Sequence, residues 1–461
     1  MPSGATVNVD TREIVRATSD YHSMNARFHV PTTKRNGADN TLHRFEQGQF
    51  YQFYRSRLDK LRERVEEQVK KRHADICFRS IPELAEDEFS CIIGVIIKRQ
   101  DLRPSVLKRL ADEINEPVQV VGHSYVSDSD SLEIEDAYQT IRLSGNVKPD
   151  QFVTGVLAGV CGAVGADGFF KVDHVFFAPI GPQKPLPSAN KDDDKFVLFV
   201  SGLEFNGPNN ENAQAMQASQ CLSNYIAAAS GDSDPDFVPR IVRMIICGGG
   251  ICAQDRDFSR QARYITKNKQ VPTIECMKAF DQFLAEITHY IPVDVMPGEN
   301  DPSSVMMPQI PLHKCLFPKS YREGQLNLVP NPHQCQIDEC LIVGTSGQNV
   351  NDILANGTFA TPIAALREVY RWQHLCPTAP DTLDCVPGVD DPFFVSPNAD
   401  SPCPHVIFAG NQTVGAKRVV AGPAGQTTLL LAVPKFCDSR VAVAVNIRTL
   451  ETQTIEFNQF E

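Results

Sequence analysis

The 461-residue chain exceeds what one small core can bury, and 42% hydrophobic with 22% charged residues is a globular composition, so two domains, or one large and one small, are expected. The net charge of −12 is uneven: residues 1–110 hold 20 Lys and Arg against 15 Asp and Glu, and the rest 24 against 41. So acidic a body excludes a grip on nucleic acid over most of its surface, and with no 18-residue apolar run or apolar N-terminal stretch, neither a membrane span nor a secretory signal is expected.

Residues 1–40 are polar and irregular and read as an unstructured tail. A helical segment is expected over 41–75, where Phe50, Tyr54, Leu58, Leu61 and Val65 recur at three- and four-residue steps and Arg and Glu fill a solvated face. Within it, "QGQFYQFY" (Gln47 to Tyr54) resembles a clamp-binding box, but its aromatics belong to the apolar stripe, which favours packing. Over 76–180 come short apolar runs, "FSCIIGVIIKR", "SLEIED", "QTIRLSGNV", "FVTGVLAGVCGAVG" and "FFKVDHVFFAPI". Their internal glycines suit bulges in a strongly curved sheet, and the length suits a closed oligonucleotide-binding (OB) type barrel of about five strands. Its Phe residues lie inside apolar runs, so packing is expected of them rather than stacking on bases.

The Pro-rich, acidic stretch 181–195 reads as a linker. Beyond it, over 196–461, the pattern changes to strands apolar enough to be buried on both faces: "FVLFV", "RIVRMIIC", "VDVM", "LIVG", "HVIFAG" and "VAVAVNI". Helical stretches alternate with them, and "TPIAALREVYRWQHL" has Thr361 as N-cap and Pro362 at the first helical position. The alternation argues a layered α/β domain. The 14 cysteines are scattered through apolar stretches without a CxxC spacing, so reduced thiols are expected, not disulfides or a zinc ribbon.

Ligands of layered α/β domains gather where strands end at their carboxyl edge. Four such exits stand out. They are "VSGLEFNG" with Gly202 and Glu204, "ICGGGICAQD" with Gly249 and Cys252, "MPGENDP" with Glu299, Asn300 and Asp301, and "FAGNQTVG" with Asn411 and Thr413. In order and spacing these exits resemble the calcineurin-like metallophosphoesterases. Members of that family place two metals on D-x-H, G-D-x-x-D, G-N-H-[DE] and G-H-x-H motifs, because a dinuclear site needs several carboxylate and imidazole ligands and a bridging Asp.

Carried over position by position, the scaffold stays and the ligands go. Gly202 and Glu204 stand for the Asp and His of the first motif, and Gly249 and Cys252 for the bridging Asp and second acid of the next. Glu299 and Asn300 replace an Asn and a His, Asp301 stays acidic, and Asn411 and Thr413 replace the last two histidines. Glycine offers no side-chain ligand, so the resemblance implies no catalytic residues, cofactor or metal; Glu204, Glu299 and Asp301 could hold at most one hard cation. His374, at a helix end, sits near another metal position of that family, although a helix-dipole role explains it as well.

The order of helix, barrel, linker and stripped phosphoesterase-like domain resembles the B subunits of replicative DNA polymerases, with the closest local match to the delta type. The stretches that carry it are "IEDAYQTIRLSG", "APIGPQKP", "FVLFVSGLEF", "IPVDVMPGENDP", "GTSGQNVNDI" and "PTAPDTL". The resemblance implies a fold with an αββα-layered domain, an OB-type barrel and an N-terminal helix. It also implies a nuclear, non-catalytic subunit. Its partners would be the Cys-rich C-terminal domain of the delta catalytic subunit and a third, elongated subunit, with the sliding clamp reached indirectly and DNA touched only peripherally.

Overall fold

The computed structural model describes residues 16–29, 49–103, 124–186, 194–206, 213–228, 234–252, 272–396 and 401–457. Part of the expected N-terminal tail is built into the fold. Strand β1 (Tyr21–Ser23) is followed by a single 3-10 turn that buries Phe28. That turn supplies one apolar anchor and β1 one strand's pairing, which suffices to dock so short a segment. Residues 1–15 and 30–48, with Gln47 of the clamp-like box, lie outside the described residues.

Helix α1 (Phe50–Arg72) buries Phe53, Leu61, Val65 and Val69, while Phe50 is about half exposed (48%). The apolar stripe is thus shifted from the one expected, and two of its members are charged: Arg57 and Arg64 are buried, not solvated. Of the box-like aromatics, Phe53 belongs to the core, while Phe50 stays about half exposed.

The barrel follows as β2 (Cys77–Phe78), β3 (Ser90–Arg99), β4 (Ser131–Glu135), β5 (Thr140–Gly145), β6 (Leu157–Val164) and β7 (Phe170–Phe176). Strand β3 pairs with both β4 and β6, so the order β3-β4-β5-β7-β6 closes on itself with five strands. Gly162 sits at the register shift between β6 and β7, where a Cβ would stand 1.9 Å from the Lys171 carbonyl oxygen. Ile92, Ile96, Ile134, Val160 and Phe170 fill one face of the barrel sheet. Cys91, Ile93, Leu157 and Cys161 lie under Leu61, Val65 and Val69 of α1.

The rest of the chain forms two six-stranded sheets. Its elements are β8 (Phe196–Val200), α2 (Ala213–Ile226), β9 (Ile241–Ile246), α3 (Pro272–Thr288), β10 (Val293–Val295), β11 (Leu326–Leu328), β12 (His333–Ile337) and β13 (Cys340–Thr345). After them come α4 (Gln348–Asn356), α5 (Pro362–Trp372), β14 (Val406–Gln412), β15 (Ala416–Ala421), β16 (Thr427–Pro434), α6 (Phe436–Ser439), β17 (Val441–Asn446) and β18 (Thr452–Glu456). One sheet runs β11-β10-β9-β8-β17-β18, the other β1-β12-β13-β14-β16-β15. Val197, Phe199, Ile245, Ile342, Phe408 and Leu431 make a core shared by strands of both. Leu222 of α2 and Phe280 and Leu284 of α3 cluster with Leu198, Met244 and Ile246 of the first sheet. Val350 and Ile353 of α4 and Leu366 and Val369 of α5 cluster with Val343, Ile407 and Leu430 of the second. Successive side chains alternate faces along a strand, so each sheet is apolar on both.

A buried ionic contact ties α1 to this second part. The fully buried Arg57 guanidinium donates to Asp391 Oδ2 through Nε (2.9 Å) and Nη2 (2.8 Å), and to the carbonyls of Gly155, Pro377 and Ala379. Arg64 donates to the Ser396 carbonyl at 2.7 Å. Saturating a guanidinium with acceptors is what makes its burial tolerable.

Candidate functional site

The four strand exits do meet, but backbone fills the space between them. The Gly202 N–H donates to the Gly248 carbonyl (2.9 Å), and Glu204 and Phe205 donate to Gly249 and Gly250 (3.0 Å each). Gly202, Gly248 and Gly249 all have positive φ (60°, 81° and 73°), the region that glycine enters without a steric penalty. A Cβ on Gly249 would lie 2.4 Å from Asn411 Oδ1 and 2.9 Å from Gly202 Cα; one on Gly298 would lie 2.4 Å from the Gly249 nitrogen. These glycines mark close backbone approach.

Asp301 closes the arrangement. Its Oδ2 accepts from the N–H groups of Gly298 (2.7 Å), Gly249 (2.9 Å) and Gly250 (3.2 Å), and its Oδ1 from Ile251 (3.0 Å). Burial pushes this carboxyl above the usual range, and the four N–H donors pull the other way. Asn411, left-handed at φ 53°, donates through its amide to the carbonyls of Cys247 (3.1 Å) and Ser346 (2.8 Å), joining exits of both sheets.

The remaining positions point elsewhere. Glu204 pairs with Lys435 at 2.8 Å. Glu299, Asn300 and Thr413 are exposed, and Cys252 packs against the core beside α2 and α3. The three carboxylates named for one hard cation, Glu204, Glu299 and Asp301, are engaged differently from one another. The first is ion-paired, the second solvated, and the third saturated by backbone. Gly202, Gly249, Asp301 and Asn411 are brought together as a structural knot with no pair of carboxylates facing a common point.

His374 also departs from expectation. Its Nε2 lies 2.8 Å from Asp391 Oδ2, the oxygen that Arg57 holds. Burial and then the Arg57 charge lower its pKa to about 4, so it is neutral at physiological pH and lends no positive charge to a helix end. Asp391, although buried, is held well below the usual carboxylate range by His374 and Arg57.

Beside the exits lies a buried amide network that nothing in the sequence announces. Asn331 Nδ2 lies within 2.7 Å of Gln309 Oε1, 2.6 Å of Ser346 Oγ and 3.1 Å of Gln348 Oε1, and Ser346 N–H donates back to Asn331 Oδ1 (3.1 Å). Ser346 and Gln348 come from "GTSGQNVNDI", a stretch that carries the resemblance but no recognisable chemistry of its own.

A chain of this barrel, these paired sheets and these strand exits is similar to the B subunits of DNA polymerases. Residues 197–416 match the family model of the DNA polymerase alpha/epsilon B subunit, and residues 49–175 match that of the DNA polymerase delta subunit OB-fold domain. The chain is 32% identical to the DNA polymerase delta small subunit of Oryza sativa subsp. japonica, covering 96% of this chain and 98% of that one. It is 33% identical to DNA polymerase delta subunit 2 of Drosophila melanogaster, with 81% and 84% covered. The small subunit of Arabidopsis thaliana is 32% identical over 98% and 99%. The chain belongs to the DNA polymerase delta small-subunit family.

Proposed function

We propose that the chain is a non-catalytic scaffold of the delta polymerase complex in the nucleus, built from an OB-type barrel (76–180) and a degenerate phosphoesterase-like domain (196–461). In this reading it holds the Cys-rich C-terminal domain of the catalytic subunit and a third, elongated subunit, reaches the sliding clamp indirectly and touches DNA only at its periphery. The layered phosphoesterase-like assignment draws support from helices packed on the outer faces of two sheets that share a core. The observation that carries the absence of catalysis is the knot. A dinuclear site needs a bridging carboxylate where Gly249 stands, yet even a Cβ added there would lie only 2.4 Å from Asn411 Oδ1.

The test is co-expression of the full chain with a delta-type catalytic subunit, followed by pull-down and size-exclusion chromatography. A stable complex that forms with the full-length partner and fails when its C-terminal domain is removed is the expected result. No association with either form overturns the proposal.

A further inference from the structure

Away from the strand exits, Asp294 on β10 and His333 and Cys335 on β12 bring three ligand-type atoms within 4.8 Å of one another, all buried. Two of these atoms have no hydrogen-bond partner: Asp294 Oδ2 and His333 Nε2. They face each other at 3.5 Å. That is long for a good hydrogen bond. It is close to the ~3.4 Å that separates two ligands of one tetrahedral zinc with bonds of about 2.0–2.2 Å.

The surroundings of the two groups match the pattern around metal ligands. Asp294 Oδ1 is held by Arg243 Nη1 (2.6 Å) and Asn327 Nδ2 (3.0 Å), which leaves Oδ2 turned inward. His333 Nδ1 lies 3.1 Å from Asn25 Oδ1, an atom fixed as oxygen by the Gln334 N–H at 2.7 Å. Asn25 Nδ2 also lies 3.0 Å from Nδ1; in the tautomer that donates an Nδ1 proton to Asn25 Oδ1, the Nε2 lone pair faces a carboxylate, and a cation between the two satisfies both. Metal-bound imidazoles are oriented by such an outer partner. Tyr21, Asn25 and Asn327, neighbours of the cluster, line a surface groove of about 700 Å³.

We propose that Asp294, His333 and Cys335 form a zinc site, with Oδ2, Nε2 and the Cys335 thiolate as ligands. The oxygen–nitrogen–sulfur donor set suits this borderline-soft ion. Zinc binding releases the thiol proton, and the Asp294 carboxylate, shared with Arg243, becomes the bridge between the ion and the guanidinium. That guanidinium rests 3.6 Å from the centre of the Tyr21 ring. Zinc would then clamp β10 to β12 and brace the docked segment that carries Tyr21 and Asn25.

The full chain, stripped with a chelator and dialysed against zinc, is expected to retain one zinc per chain through gel filtration. With cobalt in place of zinc it should show tetrahedral visible bands and a thiolate charge-transfer band. Both features should vanish in Cys335→Ser and His333→Gln and persist in Cys340→Ser, each variant being scored only if its circular dichroism matches the parent. Substoichiometric zinc in the parent, a cobalt spectrum without the thiolate band, or equal loading of Cys335→Ser overturns the proposal. Should neither ligand variant fold, the parent's zinc content and thiolate band decide. A proton in place of the metal would appear as the first of these failures.

Discussion

Four backbone N–H groups from two chain segments converge on the Asp301 carboxylate, and hydrogen bonds to a charged group are worth about 1.5–3 kcal/mol each. Removing the carboxylate strands all four donors in a buried place. Asp301→Ala is therefore expected to destabilise the chain by about 3–5 kcal/mol, read as a lower urea midpoint with an unchanged slope. A loss under about 1 kcal/mol would mean that the knot does not depend on its carboxylate. The sequence places an acid after a Gly turn at a strand exit, and that much is legible. What it cannot show is that three of the four groups facing this acid are N–H donors of a loop some fifty residues away, because backbone carries no sequence signal.

Among the elements, α1 shows most sharply what periodicity does and does not reveal. A 23-residue helix is evident from its repeat, yet Arg57 and Arg64 fall on the buried face. Arginine reads as surface unless its partner is known, and the partner Asp391 lies 334 residues away. Strand β16 escapes the pattern for a different reason: "TTLLLAVP" is apolar enough, but no helix separates it from β15, with which it pairs as a hairpin. The contact between α1 and the second part of the chain should be sensitive to pH. His374 has a folded pKa of about 4 against an ordinary 6.5, so its contribution is complete above about pH 6.5 and is lost as pH falls towards 4. The linked loss is on the order of 3 kcal/mol. Urea midpoints measured between pH 7 and 4 should fall less steeply in His374→Gln than in the parent. Parallel profiles would show that the ring is not held neutral by the fold.

At the level of the whole molecule, alternating strands and helices made the mixed α/β part legible, and glycine-bearing apolar runs made the barrel so. The pairing of two sheets through Asn411 is a tertiary event, and it decides whether the exits enclose a pocket. A fold with emptied ligand positions could in principle be refilled by substitution, provided that the positions were merely vacant. Here they are occupied: a Cβ at Gly202 would meet Lys435 Cγ at 2.9 Å, and one at Gly249 would meet Asn411 Oδ1 at 2.4 Å. Gly202→Asp and Gly249→Asp add side chains at positive φ, where residues other than glycine are strained by about 1–3 kcal/mol each, and also force the two sheets' exits apart. The combined variant Gly202→Asp, Glu204→His, Gly249→Asp, Asn411→His is therefore expected to lose several kcal/mol of stability. It should not cleave a nitrophenyl phosphodiester with manganese, although the first motif, the bridging Asp and one histidine of the last motif are nominally restored. Manganese-dependent turnover by that variant, with its melting temperature preserved, would show that the exits retain an openable pocket and that sequence loss alone silenced it.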